Sequence, residues 1–97
     1  METYLIVIGK TATGYSAHCP DVPGCAAVGE TVEATVADMR EALEFHFEGM
    51  AEDGDPIPRA GGVASYAEAM MVLEPHRELL AHVRIDTSRF AARLNLA

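Results

Sequence analysis

The run Pro20-Asp21-Val22-Pro23-Gly24-Cys25 constrains this chain more than any other segment. Two prolines fix φ and the glycine admits φ above zero, so the run predicts a rigid turn. On either side stand short β patterns, Tyr15-Ser16-Ala17-His18 before it and Ala26-Ala27-Val28-Gly29 after it. A turn of this rigidity sets the register of the strands it joins, and the pair must belong to an antiparallel sheet.

A third strand precedes them. Tyr4-Leu5-Ile6-Val7-Ile8 is a continuous apolar, β-rich run closed by Gly9. A run apolar at every position reads as an inner strand. Because side chains alternate across a strand, Tyr4, Ile6 and Ile8 face opposite to Leu5 and Val7, and both sheet faces need cover.

The next segment supplies one cover. Thr31 is a good N-cap and Glu33 falls in the first turn, where the helix dipole favours a carboxylate. Val32, Val36, Met39, Leu43, Phe47 and Met50 then recur at the spacing of one helical face. Asp38, Glu41, Glu44, Glu48 and Glu52 occupy the other, so an amphipathic helix is expected to about Glu52. Residues 53–62 are a loop by every breaker signal. Ser65-Tyr66-Ala67-Glu68 matches a capping box and predicts a short helix toward Leu73, stopped by Pro75. Leu79, Ala81, Val83 and Ile85 alternate with Leu80, His82 and Arg84, which predicts a last strand over 78–85. The second sheet face has two possible occupants, the short helix or another copy of the protein.

The fold class is therefore α+β: a small antiparallel three- to four-stranded sheet packed on one long helix. Ninety-seven residues support a single domain with a modest core. The divisions expected are a body over 1–86 and a C-terminal tail over 87–97. No stretch approaches the ~18 to 20 apolar residues of a membrane span. No leader pattern opens the chain, so a cytoplasmic location is expected.

Charge is unevenly spread. Residues 1–76 carry three basic and thirteen acidic side chains, a net of −10, whereas residues 77–97 carry four arginines against two acids. An acidic body argues against gripping nucleic acid and suits a basic partner. The four late arginines give at most weak salt-sensitive attraction, and no specific DNA binding is expected from this chain alone.

Tyr15-Ser16-Ala17-x-x-Pro20-Asp21-Val22-Pro23-Gly24-Cys25, then Gly29-Glu30-Thr31, Arg40-Glu41-Ala42-Leu43-Glu44 and Gly54-Asp55-x-Ile57-Pro58 together resemble the HicB antitoxin family over residues 4–58. The resemblance implies a reduced ribonuclease-H-like fold in the order β-β-β-α-(α)-β. It implies an antitoxin that neutralises a basic HicA-type toxin, which cuts mRNA with a histidine, by occlusion and without catalysis. Arg93-Leu94-Asn95-Leu96 resembles the opening strand of the ribbon-helix-helix module that many such antitoxins carry. Two other readings stand beside this one: a stand-alone HicB-like assembly module without toxin, and a residual metal-dependent nuclease.

The residues themselves offer little chemistry. A nuclease of that fold needs a carboxylate on the first strand, and Tyr4 to Ile8 carries none. His18, Cys19 and Cys25 could open a zinc site, but a second ligand pair is missing. Free buried thiols are the expectation, with no metal, no cofactor and no catalytic residue. His46 reads as a core-edge residue beside Leu43 and Met50. The partner-binding candidates are Asp38, Glu41, Phe45, Glu48 and Glu52. Phe45 stands out as a large aromatic among acids; either the short helix folds back over it, or it anchors an interface with the toxin or a second antitoxin chain. A homo-oligomer, dimer or higher, is expected.

Overall fold

The computed structural model describes residues 1–90. Among them run four strands and two helices: β1 (Glu2–Lys10), β2 (Tyr15–His18), β3 (Ala26–Gly29), α1 (Val32–Glu52), α2 (Val63–Val72) and β4 (Glu78–Ile85). The strands form one antiparallel sheet in the order β3-β2-β1-β4. β1 is an inner strand, as its apolar run requires; Val7 lies between His18 on β2 and Leu80 on β4. The possible ribbon strand at Arg93–Leu96 lies outside the described residues.

The proline turn folds inward rather than capping the sheet from outside. Val22 N–H donates to the Cys19 carbonyl at 3.0 Å, and Gly24 takes a φ of +86° that a side chain would strain. Val22, Cys19 and Cys25 are all buried in the main core. The turn therefore sets register and also fills space.

α1 covers the first face of the sheet. Thr31 caps it as expected, its side chain accepting from the Ala34 amide at 3.0 Å. The buried line runs through Thr35, Met39, Leu43, Phe47 and Ala51, while Val32, Val36 and Met50 flank it half-buried. This line meets Tyr4, Ile6 and Ile8 of β1, with Val83 and Ile85 of β4 beside them. Phe47 is the hub, its ring 5.3 Å from Tyr4 and 5.8 Å from Phe90. The core thus extends past β4 to Phe90. Truncating a fully buried phenylalanine costs about 3–5 kcal/mol, a large share of a small domain's stability.

Where α1 starts, it crosses close over β3. A Cβ on Gly29 would stand 2.7 Å from the Thr35 amide nitrogen and 2.6 Å from its Oγ1. That explains a glycine ahead of Glu30-Thr31 by space rather than by backbone freedom.

The second face is covered by α2, one of the two occupants the sequence allowed. Ala69 is buried against Leu5 and Val7, with Tyr66, Leu73 and Leu80 around them. The expected capping box at Ser65 is not how this helix begins. α2 opens at Gly62, whose φ is +62° and which makes no side-chain cap. Ser65 is buried, and its hydroxyl donates to Asp21 Oδ1 at 2.7 Å. The Gly61-Gly62 pair makes the break three residues earlier, and a long-range partner claims the serine.

The connecting loop is strapped to β1. Tyr4 Oη donates to the Pro58 carbonyl at 2.6 Å, and the Ala60 amide donates to Glu2 Oε1 at 2.9 Å. These bonds steer the chain from the α1 side of the sheet to the other.

Candidate partner-binding surface

The outward face of α1 gathers the five candidates. At 100° per residue, Asp38, Glu41, Phe45, Glu48 and Glu52 fall within an arc of about 80°, opposite the Met39–Phe47 line. Along the axis they extend over about 21 Å. Asp38, Glu41 and Glu52 are exposed, Glu48 is half-buried, and Phe45 is 82 % exposed. α2 packs on the far side of the sheet, so it does not fold over Phe45. The face is an acidic surface with one aromatic standing out of it.

The surroundings define its limits. At one end Asp38 Oδ2 accepts, at 3.4 Å, from the amide of Val28 on the edge strand β3. On one flank Glu44 pairs with Arg89 at 3.4 Å. The helix's single basic residue, Arg40, reaches away to the β4 edge and donates to the Arg84 carbonyl at 2.9 Å. Its charge is thereby held at the margin rather than among the acids. Attraction for a cationic surface is the chemistry this arrangement supports.

The other sequence candidates are not brought together as a reactive site. Cys19 and Cys25 are free and buried, as expected. Burial pushes the Cys19 thiol up to about 11 and raises Cys25 as well, so both stay protonated and poorly reactive near neutrality. Glu41, Glu44 and Glu48 point away from the sheet. Among the described residues, no three His, Cys, Asp or Glu side chains cluster where a metal ion could be held. His46 is half-buried, its ring 6.3 Å from Phe47, at the core edge where the helical pattern put it.

Sequence reasoning missed Asp21. Its Oδ2 accepts from the Gly61 amide at 2.8 Å while Oδ1 holds Ser65, so one carboxylate in the proline turn fastens the start of α2. The signal available was its place in the Pro-Asp-Val-Pro-Gly run, which gave it no partner.

A family model described as the HicB-like antitoxin of bacterial toxin–antitoxin systems matches residues 4–96. The chain belongs to this family. A crystal structure of the antitoxin HicB3 superposes with a TM-score of 0.74 at 28 % identity, over 90 % of this chain and 64 % of that one. A chain of a toxin–antitoxin complex of HicA3 and HicB3 gives 0.71 at 29 % identity, over 87 % of this chain and 98 % of that one. An uncharacterised 14.9 kDa protein from the rep-hol intergenic region of Haemophilus phage HP1 (strain HP1c1) is 40 % identical over 63 residues. That match takes in 65 % of this HicB-like chain but only 47 % of the phage protein. The chain spans about half the length of that relative and under two thirds of the HicB3 antitoxin. Among its described residues, no helix is long and apolar enough to cross a membrane.

Proposed function

We propose that this HicB-like chain neutralises a basic HicA-type toxin by occlusion, docking it on the outward face of α1. The observation that carries this reading is the face itself: Phe45, 82 % exposed, stands among Asp38, Glu41, Glu48 and Glu52. Aromatic anchors ringed by polar groups commonly dominate binding, and the acids around Phe45 steer a cationic partner to it. A toxin that binds RNA must carry positive charge, so its RNA-binding surface is the one such a face attracts. Covering that surface stops mRNA cleavage without any chemistry by the antitoxin. The likeness to a chain of the HicA3 and HicB3 toxin–antitoxin complex supports the class of partner.

The test mixes this protein with the basic product of the neighbouring gene and follows RNA cleavage. Excess antitoxin is expected to abolish cleavage; an undiminished rate refutes the proposal. Phe45→Ala is expected to weaken the complex by at least ~2 kcal/mol, the usual hot-spot threshold, while leaving Tm nearly unchanged. Normal binding by a variant that melts far lower would make Phe45 a structural residue instead.

A further inference from the structure

The proline turn brings the chain's two cysteines to one place. β2 and β3 pair Ser16 with Val28, Ala17 with Ala27 and His18 with Ala26. One step further, the same register sets Cys19 opposite Cys25. Side chains alternate across a strand, so both cysteines fall on the side of Ala17 and Ala27. All four are buried in the main core, on the α1 face of the sheet.

The kind of pair decides how close they come. The Cys19 carbonyl accepts from the Val22 amide at 3.0 Å, and the Cys25 amide donates to the Val22 carbonyl at 3.4 Å. The groups that a hydrogen-bonded cross-strand pair would exchange are thus spent on Val22. In the other kind of pair, Cα atoms approach to about 4.5 Å and the side chains lie closer. Disulfides form over Cα separations of roughly 4.4–6.8 Å. Burial is the leading cause that raises the Cys19 thiol, and charge on Asp21 and on Cys25 adds to it, so the two sulfurs lie within electrostatic reach.

We propose that Cys19 and Cys25 are a redox dithiol, which hydrogen peroxide closes to an intramolecular disulfide that clasps the proline turn. Cys25 reacts first, being 7 % exposed against 2 % for Cys19. Beside it Gly24 borders open space, with nothing within 4 Å of where a Cβ would stand. The Cys25 sulfur attacks one peroxide oxygen: an S–O bond forms, the O–O bond breaks, and hydroxide leaves as water with the thiol proton. The Cys19 sulfur then attacks the Cys25 sulfenic acid, forming S–S, breaking S–O and releasing a second water. Two electrons pass from the sulfurs to the peroxide. Closure is slow, because burial keeps both thiols protonated near neutrality. Its effect reaches beyond the turn. Asp21 lies inside the ring that the disulfide closes, and its carboxylate holds Gly61 and Ser65 at the start of α2. A closed ring keeps that carboxylate in place, so oxidation fastens α2.

The test treats the full chain with excess hydrogen peroxide and counts free thiols after denaturation. Both thiols are expected to disappear together, without intermolecular dimers, and both to return with dithiothreitol, which does not rescue sulfinic or sulfonic acids. Cys19→Ala is expected to leave Cys25 as a sulfenic acid that dimedone traps, a product that does not accumulate in the wild type. Hydrogen exchange and Tm are compared within one peroxide-treated sample, before and after dithiothreitol, because sulfoxides at exposed Met70 and Met71 persist through both. Before reduction, exchange across residues 61–73 should be at least ~3-fold slower and Tm at least ~5 °C higher. Thiols lost singly, lost beyond recovery by dithiothreitol, or joined between molecules overturn the dithiol. An intramolecular disulfide that leaves exchange across 61–73 unchanged overturns the clasp on α2.

Discussion

Tyr4 and Cys19 carry acidic protons inside the main core, and both hold them harder than in water. Burial is the leading cause for each, with Glu2 next for Tyr4, and the phenol is pushed up to about 12. A group whose folded pKa is raised contributes its stability in full below the unfolded value and loses it as pH rises toward the folded one. For the thiol that window runs from 9.0 to about 11 and for the phenol from 10.0 to about 12. Thermal stability is therefore expected to fall through this alkaline range, in a series of melts. Tyr4→Phe should flatten the upper part of the decline while costing about 1 kcal/mol at neutral pH for the lost bond to Pro58. Alkylation of Cys19 and Cys25 should be slow in native protein and fast in denaturant; equal rates would show that the thiols are accessible.

At the scale of elements, α2 is fastened by a short list of contacts, and Asp21 supplies two of its hydrogen bonds. Bonds to a charged acceptor are worth about 1.5–3 kcal/mol each when desolvated, but Asp21 is half-exposed and the lower end applies. Asp21→Ala is expected to raise hydrogen exchange across residues 61–73 and leave the centre of α1 protected. Exchange rising equally in both helices would mean that α2 docking is inseparable from the main core. The two helices also differ in how far they could be read from sequence. α1 has a cap, a periodic apolar face and a charged face, and its limits at Val32 and Glu52 follow from these. α2 has apolar residues all round, so periodicity carried no information on which side would face the sheet. Its start was misread at Ser65 because Asp21, 44 residues away, takes that hydroxyl.

Over the whole molecule, the sheet separates an acidic, aromatic-bearing face on α1 from an uncharged apolar strip on α2. Long-range charge acts mainly on encounter, within a screening length of about 8–10 Å at physiological salt. Raising salt should therefore slow association with the proposed basic toxin more than it speeds dissociation. Stopped-flow mixing across a salt series measures both, and an unchanged association rate would remove the electrostatic role of the α1 face.

Local pattern was enough to determine the proline turn, the inner apolar strand, the amphipathic α1, the last strand and the two cysteines as buried free thiols. Each of these rests on residues a few positions apart, where alternation, helical repeat and turn chemistry act directly. The five candidates on α1 could be grouped on one face for the same reason. Tertiary structure alone decided that α2 lies on the second sheet face, that Phe45 stays uncovered and that Phe90 enters the core. The placement of α2 rests on bonds spanning 40 to 58 residues, from Asp21 to Gly61, Tyr4 to Pro58 and Glu2 to Ala60, and that of Phe90 on its ring contact with Phe47. No periodicity records such pairings, because partners so far apart in sequence meet only once the sheet between them has formed.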